Sequence, residues 1–234
     1  MKLPKLIEPC PILEASVELR FDPKIHPSAV FGMIYNTLQA EFPKVESLPI
    51  LQLPEPLRLA DPNLRYAPHY KIYNDSFVVQ IGPTVIAIST IPKYLGWDLF
   101  SQKIFEIIEK IESLRIINGI IRIGIRYVNF FDINIFNNIN ISVCISSKNI
   151  DYRNTAIRTE IENGAYKSTL QIANNIPQLS KVGSIIDIDT HINTGLNDFF
   201  SKKRDLINDG HIIEKELFFS LLSEDFLTKH NPKY

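Results

Sequence analysis

Cysteine is nearly missing from this sequence: Cys10 and Cys144 are the only two in 234 residues. They form no CxxC and stand beside no cluster of histidines, which excludes a zinc ribbon and leaves little ground for a disulfide. Two such thiols suit a reducing compartment, so a cytoplasmic protein is expected. Long apolar runs are also missing. None approaches the roughly 20 residues that a bilayer-spanning helix needs, and Glu8 and Pro9 interrupt any signal-like segment near the start. A membrane partner is therefore not expected. Charge of one sign is absent too, since 25 Lys and Arg against 26 Asp and Glu leave a net charge of -1. That excludes the global basic field on which sequence-independent nucleic-acid binding depends. The sequence has no Gly-rich phosphate loop, no serine in a nucleophile elbow and no HExxH, so no cofactor is expected and no recognisable hydrolase chemistry is written in it.

What is present is a chain with 45% hydrophobic residues, enough to bury a sizeable core. Its clearest pattern is Pro11 to Phe21. Leu13, Ala15, Val17, Leu19 and Phe21 alternate with Ile12, Glu14, Ser16, Glu18 and Arg20, the period of two expected of a half-buried strand. Pro27 then suits a first helical turn, and Val30, Ile34 and Leu38 form an apolar stripe that Pro43 ends. Prolines 43, 49, 54, 56, 62 and 68 predict an extended loop. His69 to Tyr73 and Phe77 to Thr90 read as a hairpin turning at Asn74-Asp75. Trp97 to Leu114 carries a wide apolar face and predicts the main helix, stopped at Asn118-Gly119. Ile120 to Ile133 is a long alternating strand.

The order strand, helix, strand, strand, helix, strand predicts an α+β fold with a ferredoxin-like βαββαβ half over 1–134. In the usual arrangement of that unit the first and last strands are antiparallel neighbours, which sets Arg122 and Arg126 against Glu14, Glu18 and Arg20. The second half, 135–234, extends the sheet with antiparallel strands at Asn140–Ser146, Tyr152–Glu162, Ala165–Asn174 and Ile185–Asn193. A hairpin is expected at Asn163-Gly164. Leu196 to Leu222 returns to a helical pattern that Gly210 would divide into a C-terminal helical hairpin. The two halves are expected to pack as one continuous module.

Several of these stretches together resemble a known family. They are Pro11-Ile12-x-Glu14-Ala15-x-x-Glu18-Leu19-Arg20-Phe21, Gly96-Trp97, Gly124-Ile125-Arg126-Tyr127-Val128-Asn129, Asp187-Ile188-Asp189, and His211 followed by Phe218. The chain is similar along nearly its whole length to a sporadically distributed family of prokaryotic proteins, one with no assigned activity. The resemblance implies a single module and a prokaryotic setting. The chain departs from the family around Asn208-Asp209-Gly210, within the terminal helical stretch.

Two candidate sites follow. The first is the charged strand face, Glu14, Glu18, Arg20, Arg122 and Arg126, which could hold a ligand and equally reads as an ion-paired ladder on a solvated sheet. The second is the face of Asp187, Asp189 and His191. These residues could offer oxygen and nitrogen to a divalent cation, although alternate strand residues lie roughly 6.6 Å apart and make a poor cage alone. An RNA-binding sheet is not favoured, because Glu14 and Glu18 stand where stacking aromatics belong. The expected function is a non-enzymatic interaction or ligand-sensing module; the alternative is a metal-dependent nuclease or other nucleic-acid-acting component of a defence or toxin system. Phe199, Phe200, Phe218 and Phe219 suggest a homodimer through the C-terminal helices.

Overall fold

The computed structural model describes residues 3–62, 64–146, 148–150 and 152–234. Among these are eleven strands and five α-helices. The first half carries β1 (Ile12–Pro23), α1 (Pro27–Leu38), β2 (Lys44–Ser47), α2 (Glu55–Ala60), β3 (Tyr70–Tyr73), β4 (Phe77–Ile81), β5 (Val85–Thr90), α3 (Trp97–Ser113) and β6 (Ile117–Phe131). Then follow β7 (Cys144–Ile145), β8 (Lys148–Asn149), β9 (Ala156–Asn163), β10 (Tyr166–Gln178), β11 (Lys181–Ile192), α4 (Phe199–Leu221) and α5 (Glu224–Lys229). Nine of the strands form one sheet in the order β2-β3-β4-β5-β1-β6-β11-β10-β9, with every neighbouring pair antiparallel. The two halves of the chain therefore share a single sheet, joined where β6 pairs with β11.

Helices α1, α3 and α4 cover one face of that sheet. Val30, Ile34 and Leu38 of α1, Phe100, Ile104, Ile107, Ile108 and Ile111 of α3, and Phe199 and Ile207 of α4 pack with Val17, Leu19, Ile86, Ile123 and Ile125 in one core. A second core joins Phe218, Phe219 and Leu222 to Leu170, Ile172, Ile186 and Ile188. Phe199, Phe200, Phe218 and Phe219 are thus docked on the chain's own strands. Of the aromatic rings that suggested self-association, Phe199, Phe218 and Phe219 are buried within the chain, and Phe200 is half-buried. No helix among the described residues is long and apolar enough to cross a membrane.

Local chemistry explains where the elements depart from the alternation in sequence. Leu13 and Ile121 fall at register shifts between β1 and β6, and an extra residue at such a bulge turns its side chain out of step. Both are solvent-exposed, whereas Ile120 takes the buried position instead. The expected second hairpin arm is two strands, because Gly82, Pro83 and Thr84 form a turn closed by Gly82 N–H donating to Val85 O at 2.8 Å. The proline-rich stretch is not structureless: Pro49 and Pro56 open a short 3₁₀ turn and α2 from first-turn positions, where a missing N–H costs nothing.

Other boundaries also shift. Helix α3 stops earlier than expected, at Arg115 with φ 54°, and Asn118 and Gly119 join β6 instead. Only Cys144–Ile145 of the expected strand at Asn140–Ser146 is extended, and Tyr152–Asn154 is a 3₁₀ turn. The hairpin before β10 turns at Gly164 (φ 60°) and Ala165, since Asn163 pairs with Tyr166. Gly210 does not divide the last long helix. A side chain there would come within 2.6 Å of Ile125 Cδ1, so glycine lets α4 lie close on β6. The break comes at Ser223, whose hydroxyl caps α5 by accepting from Phe226 N–H.

Candidate functional site

The face of the sheet away from α1, α3 and α4 is polar. On β1, the bulge at Leu13 leaves Glu14, Ser16, Glu18 and Arg20 outward, and β6 presents Arg122, Gly124 and Arg126 beside them. From β11 come Asp187, Asp189 and His191, with Asp189 opposite Arg126 and His191 opposite Gly124. The ion pairs run diagonally across this register. Arg122 folds back over Gly124 to reach two strands at once, donating from Nη1 to Glu18 Oε1 at 2.8 Å and from Nη2 to Asp189 Oδ2 at 2.7 Å. A Cβ at residue 124 would stand 2.3 Å from Arg122 Nη1, so glycine is what leaves room for this crossing. Glu18 Oε1 also accepts from Arg20 Nε at 2.7 Å. Arg126 grips Asp187 through both oxygens, Nε to Oδ1 at 2.8 Å and Nη2 to Oδ2 at 2.7 Å, the two-pronged geometry that makes guanidinium–carboxylate pairs strong. The Asp187 hydrogen bonds outweigh burial and raise the Arg126 pKa above its ordinary value.

The structure thus brings the two candidate groups together. Arg20, Glu18, Arg122 and Asp189 form one bonded web, and Arg126 with Asp187 forms a second pair beside it. Glu14 is exposed and forms no ion pair among the described residues. His191 stays apart, its Nδ1 buried without a hydrogen-bond partner. Among the described residues no group of three or more His, Cys, Asp or Glu is placed to hold a metal ion. The web and the pair floor an open concavity of about 320 Å³ that Gln80, Ser89, Arg158, Thr169 and Gln171 also line. Sequence reasoning missed these five. For Arg158, Thr169 and Gln171 the signal was the alternation of β9 and β10, readable only once the turn at Gly164 fixes the register, which puts Arg158 opposite Gln171 and Thr169 opposite Asp189; Gln80 and Ser89 come from β4 and β5. At one end Tyr66, from the chain before β3, lies 4.6 Å from the Arg20 guanidinium in a cation–π contact.

The remaining residues of the shared pattern fall on the other face. Trp97, Tyr127, Asn129, His211 and Phe218 gather beneath α4, where the Trp97 and His211 rings stack at 3.8 Å and the Tyr127 hydroxyl lies 3.1 Å from His211 Nδ1. Burial, helped by Lys215, pushes the His211 pKa down to about 3. The same burial raises the pKa of Tyr94 and Tyr127. No protein-family model matches the chain, and no curated protein matches it.

Proposed function

We propose that the protein is a non-enzymatic ligand-sensing module whose open sheet face takes an elongated zwitterionic molecule, such as a short peptide, long enough to reach from β1 to β9 across the concavity. The observation that carries this reading is the pair of uncommitted charges at the concavity. Among the described residues lining it, Glu14 and Arg158 are the charged side chains without an ion pair, and they offer a carboxylate and a guanidinium to a ligand bearing both signs. Four arginines (Arg20, Arg122, Arg126, Arg158) stand against four acids (Glu14, Glu18, Asp187, Asp189), a balance that argues against a polyanion such as RNA. A guanidinium has five N–H donors, and Arg122 and Arg126 each spend two on these ion pairs. The pairs hold those planes still, and the remaining donors need little reorganisation to bind.

The test is a thermal-shift and calorimetric panel of free amino acids and short peptides against the wild-type chain, Arg158→Ala and Glu14→Gln. At least one short peptide is expected to raise the wild-type melting temperature, with each variant losing the shift while folding normally. If no member of the panel moves the wild type, or if binding survives in both variants, the reading fails. Mg²⁺ and Mn²⁺ form a control arm, expected to leave the melting temperature unchanged because Asp187 and Asp189 are already bonded to arginines. A metal-induced shift that Asp189→Asn abolishes would favour the nuclease reading instead.

A ferredoxin-like description of the first half belongs with this proposal. It is supported by the run β4-β5-β1-β6 in the sheet, with α1 following β1 and α3 following β5. A homodimer through the C-terminal helices belongs with this proposal too, supported by the half-buried Phe200, and a prokaryotic, cytoplasmic setting is supported by the residue pattern and by two cysteines outside any disulfide.

A further inference from the structure

We propose that a cavity between the N-terminal strap and α4 is a second ligand site, separate from the sheet face, for a short-chain monocarboxylate. Its apolar body would enter among Ile7, Ile12 and Phe218, and its carboxylate would meet Lys215, Lys5 and the carboxyl of Glu214.

The strap is the segment over residues 5–11, tied across the end of the fold by backbone bonds. Glu8 N–H donates to His230 O at 2.8 Å and Lys233 N–H to Leu6 O at 2.9 Å. Beneath it lies a cavity of about 50 Å³ lined by both the strap and α4, room for roughly four water-sized groups. Ile7, Ile12, Phe218 and Phe219 are among the apolar residues of the wall. An apolar body of a few carbons fits that wall and volume.

The polar groups decide what chemistry the body must carry. Glu214 is 4% exposed and has no hydrogen-bond partner among the described residues, a costly state for a carboxyl unless a group inside the cavity bonds to it. Burial raises its pKa well above the ordinary value, against a smaller opposing pull from Lys215. The neutral acid, which can donate an O–H, is thereby favoured over the carboxylate. The groups around it are Lys5 and Cys10 from the strap, Tyr94 and Tyr127 from the sheet side, and His211 and Lys215 from α4, with Asp98 of α3 acting on Lys215 from further off. Lys5 and Lys215 form no ion pair among the described residues, and burial and the nearby Lys5 disfavour the Lys215 charge. Two unneutralised cations beside a neutral acid suit an anion. An ammonium would be repelled by both lysines and would find no charged carboxylate to balance them.

Trp97 is the sole tryptophan and stacks on His211, which lines the cavity, so its fluorescence reads this site directly. Sodium butyrate and n-butylamine would be titrated into the full chain from about pH 6 to about pH 9, with calorimetry alongside. Butyrate is expected to give a saturable signal that weakens as pH rises, as Glu214 gains and Lys215 loses charge. Glu214→Gln should bind butyrate at the low end as wild type does and weaken less with pH than wild type, while Lys215→Met should bind about tenfold more weakly. Circular dichroism melts identify any variant that fails to fold, and the wild type and Glu214→Gln suffice without Lys215→Met. Absence of butyrate binding in both of these, preference for the amine, or loss of butyrate binding in a folded Glu214→Gln would each overturn the proposal.

Discussion

Strand β6 serves two regions that handle charge in opposite ways. Toward the open face it presents Arg122 and Arg126; toward the helices it presents Tyr127 and Asn129. The contrast is sharpest between two acids of nearly equal burial, Asp187 at 5% exposure and Glu214 at 4%. Asp187 is closed off by the guanidinium that grips both its oxygens, and the pair reaches solvent through Arg126. Glu214 has no such partner, so burial alone sets its state and drives it toward the neutral acid. Burial by itself therefore does not say whether a carboxyl is a charge; what matters is whether a fixed counter-charge replaces the water that is lost.

The largest expected effect comes from removing that counter-charge. Arg126→Met should destabilise the protein by roughly 2–3 kcal/mol in urea denaturation, less than for a fully buried pair because the arginine is half exposed. Adding Asp187→Leu should restore much of the loss, since the cost lies in the stranded acid. If the double variant is no better than the single one, Asp187 is not the stranded group.

A smaller effect of opposite sign is expected beneath α4. The folded pKa of Glu214 lies above its unfolded value, so its contribution to stability is complete below the ordinary glutamate range and is lost as pH rises through the raised folded value. Glu214→Gln removes that loss and should make the protein about 1 kcal/mol or more stable at alkaline pH, with little difference in acid. His211 works the other way. Its folded pKa of about 3 lies below the ordinary 6.5, so the stability it contributes is present above the ordinary value and is lost as pH falls between the two. Wild type should accordingly lose stability on both limbs of a pH–stability curve, with Glu214→Gln flattening the alkaline limb alone. A variant curve that runs parallel to wild type would show that Glu214 is ionised in the folded protein.

The smallest effect should come from Gly124→Ala. The added methyl displaces the Arg122 guanidinium from Glu18 and Asp189, and these part-exposed pairs contribute under about 1 kcal/mol. Ligand affinity at the sheet face, which depends on where that guanidinium is held, should fall more than stability does. Comparing urea midpoints with calorimetric affinities separates the two.

Much of this was legible in the chain itself. Alternation at Ala15, Val17, Leu19 and Phe21, the stripes of α1 and α3, and the β11 pattern of acids against isoleucines all gave the correct buried face, because a side-chain period is a local property of each element. The pairing of Arg122 with Glu18 was also within reach, since it needs only two neighbouring strands. The parity at Leu13 and Ile121 was not, because a bulge is decided by the partner strand rather than by the strand that carries it. Nor was the reversal between β10 and β11, where the apolar but fully exposed Leu179 adopts φ 52° in a turn that no glycine or proline announces. Gly210 misled for the same reason: its value lies in the closeness of Ile125, a residue of another element.

The sequence by itself determined the α+β class, the polar and apolar faces of the principal strands, and the absence of a global field of one sign. Only the tertiary structure decided that Asp187 and Asp189 answer arginines from β6 and that His211, Glu214, Tyr94 and Tyr127 share one buried pocket. The reason is physical: periodicity acts over neighbours a few residues apart, whereas ion pairing and desolvation depend on which groups the sheet order and helix docking bring within a few ångströms of one another.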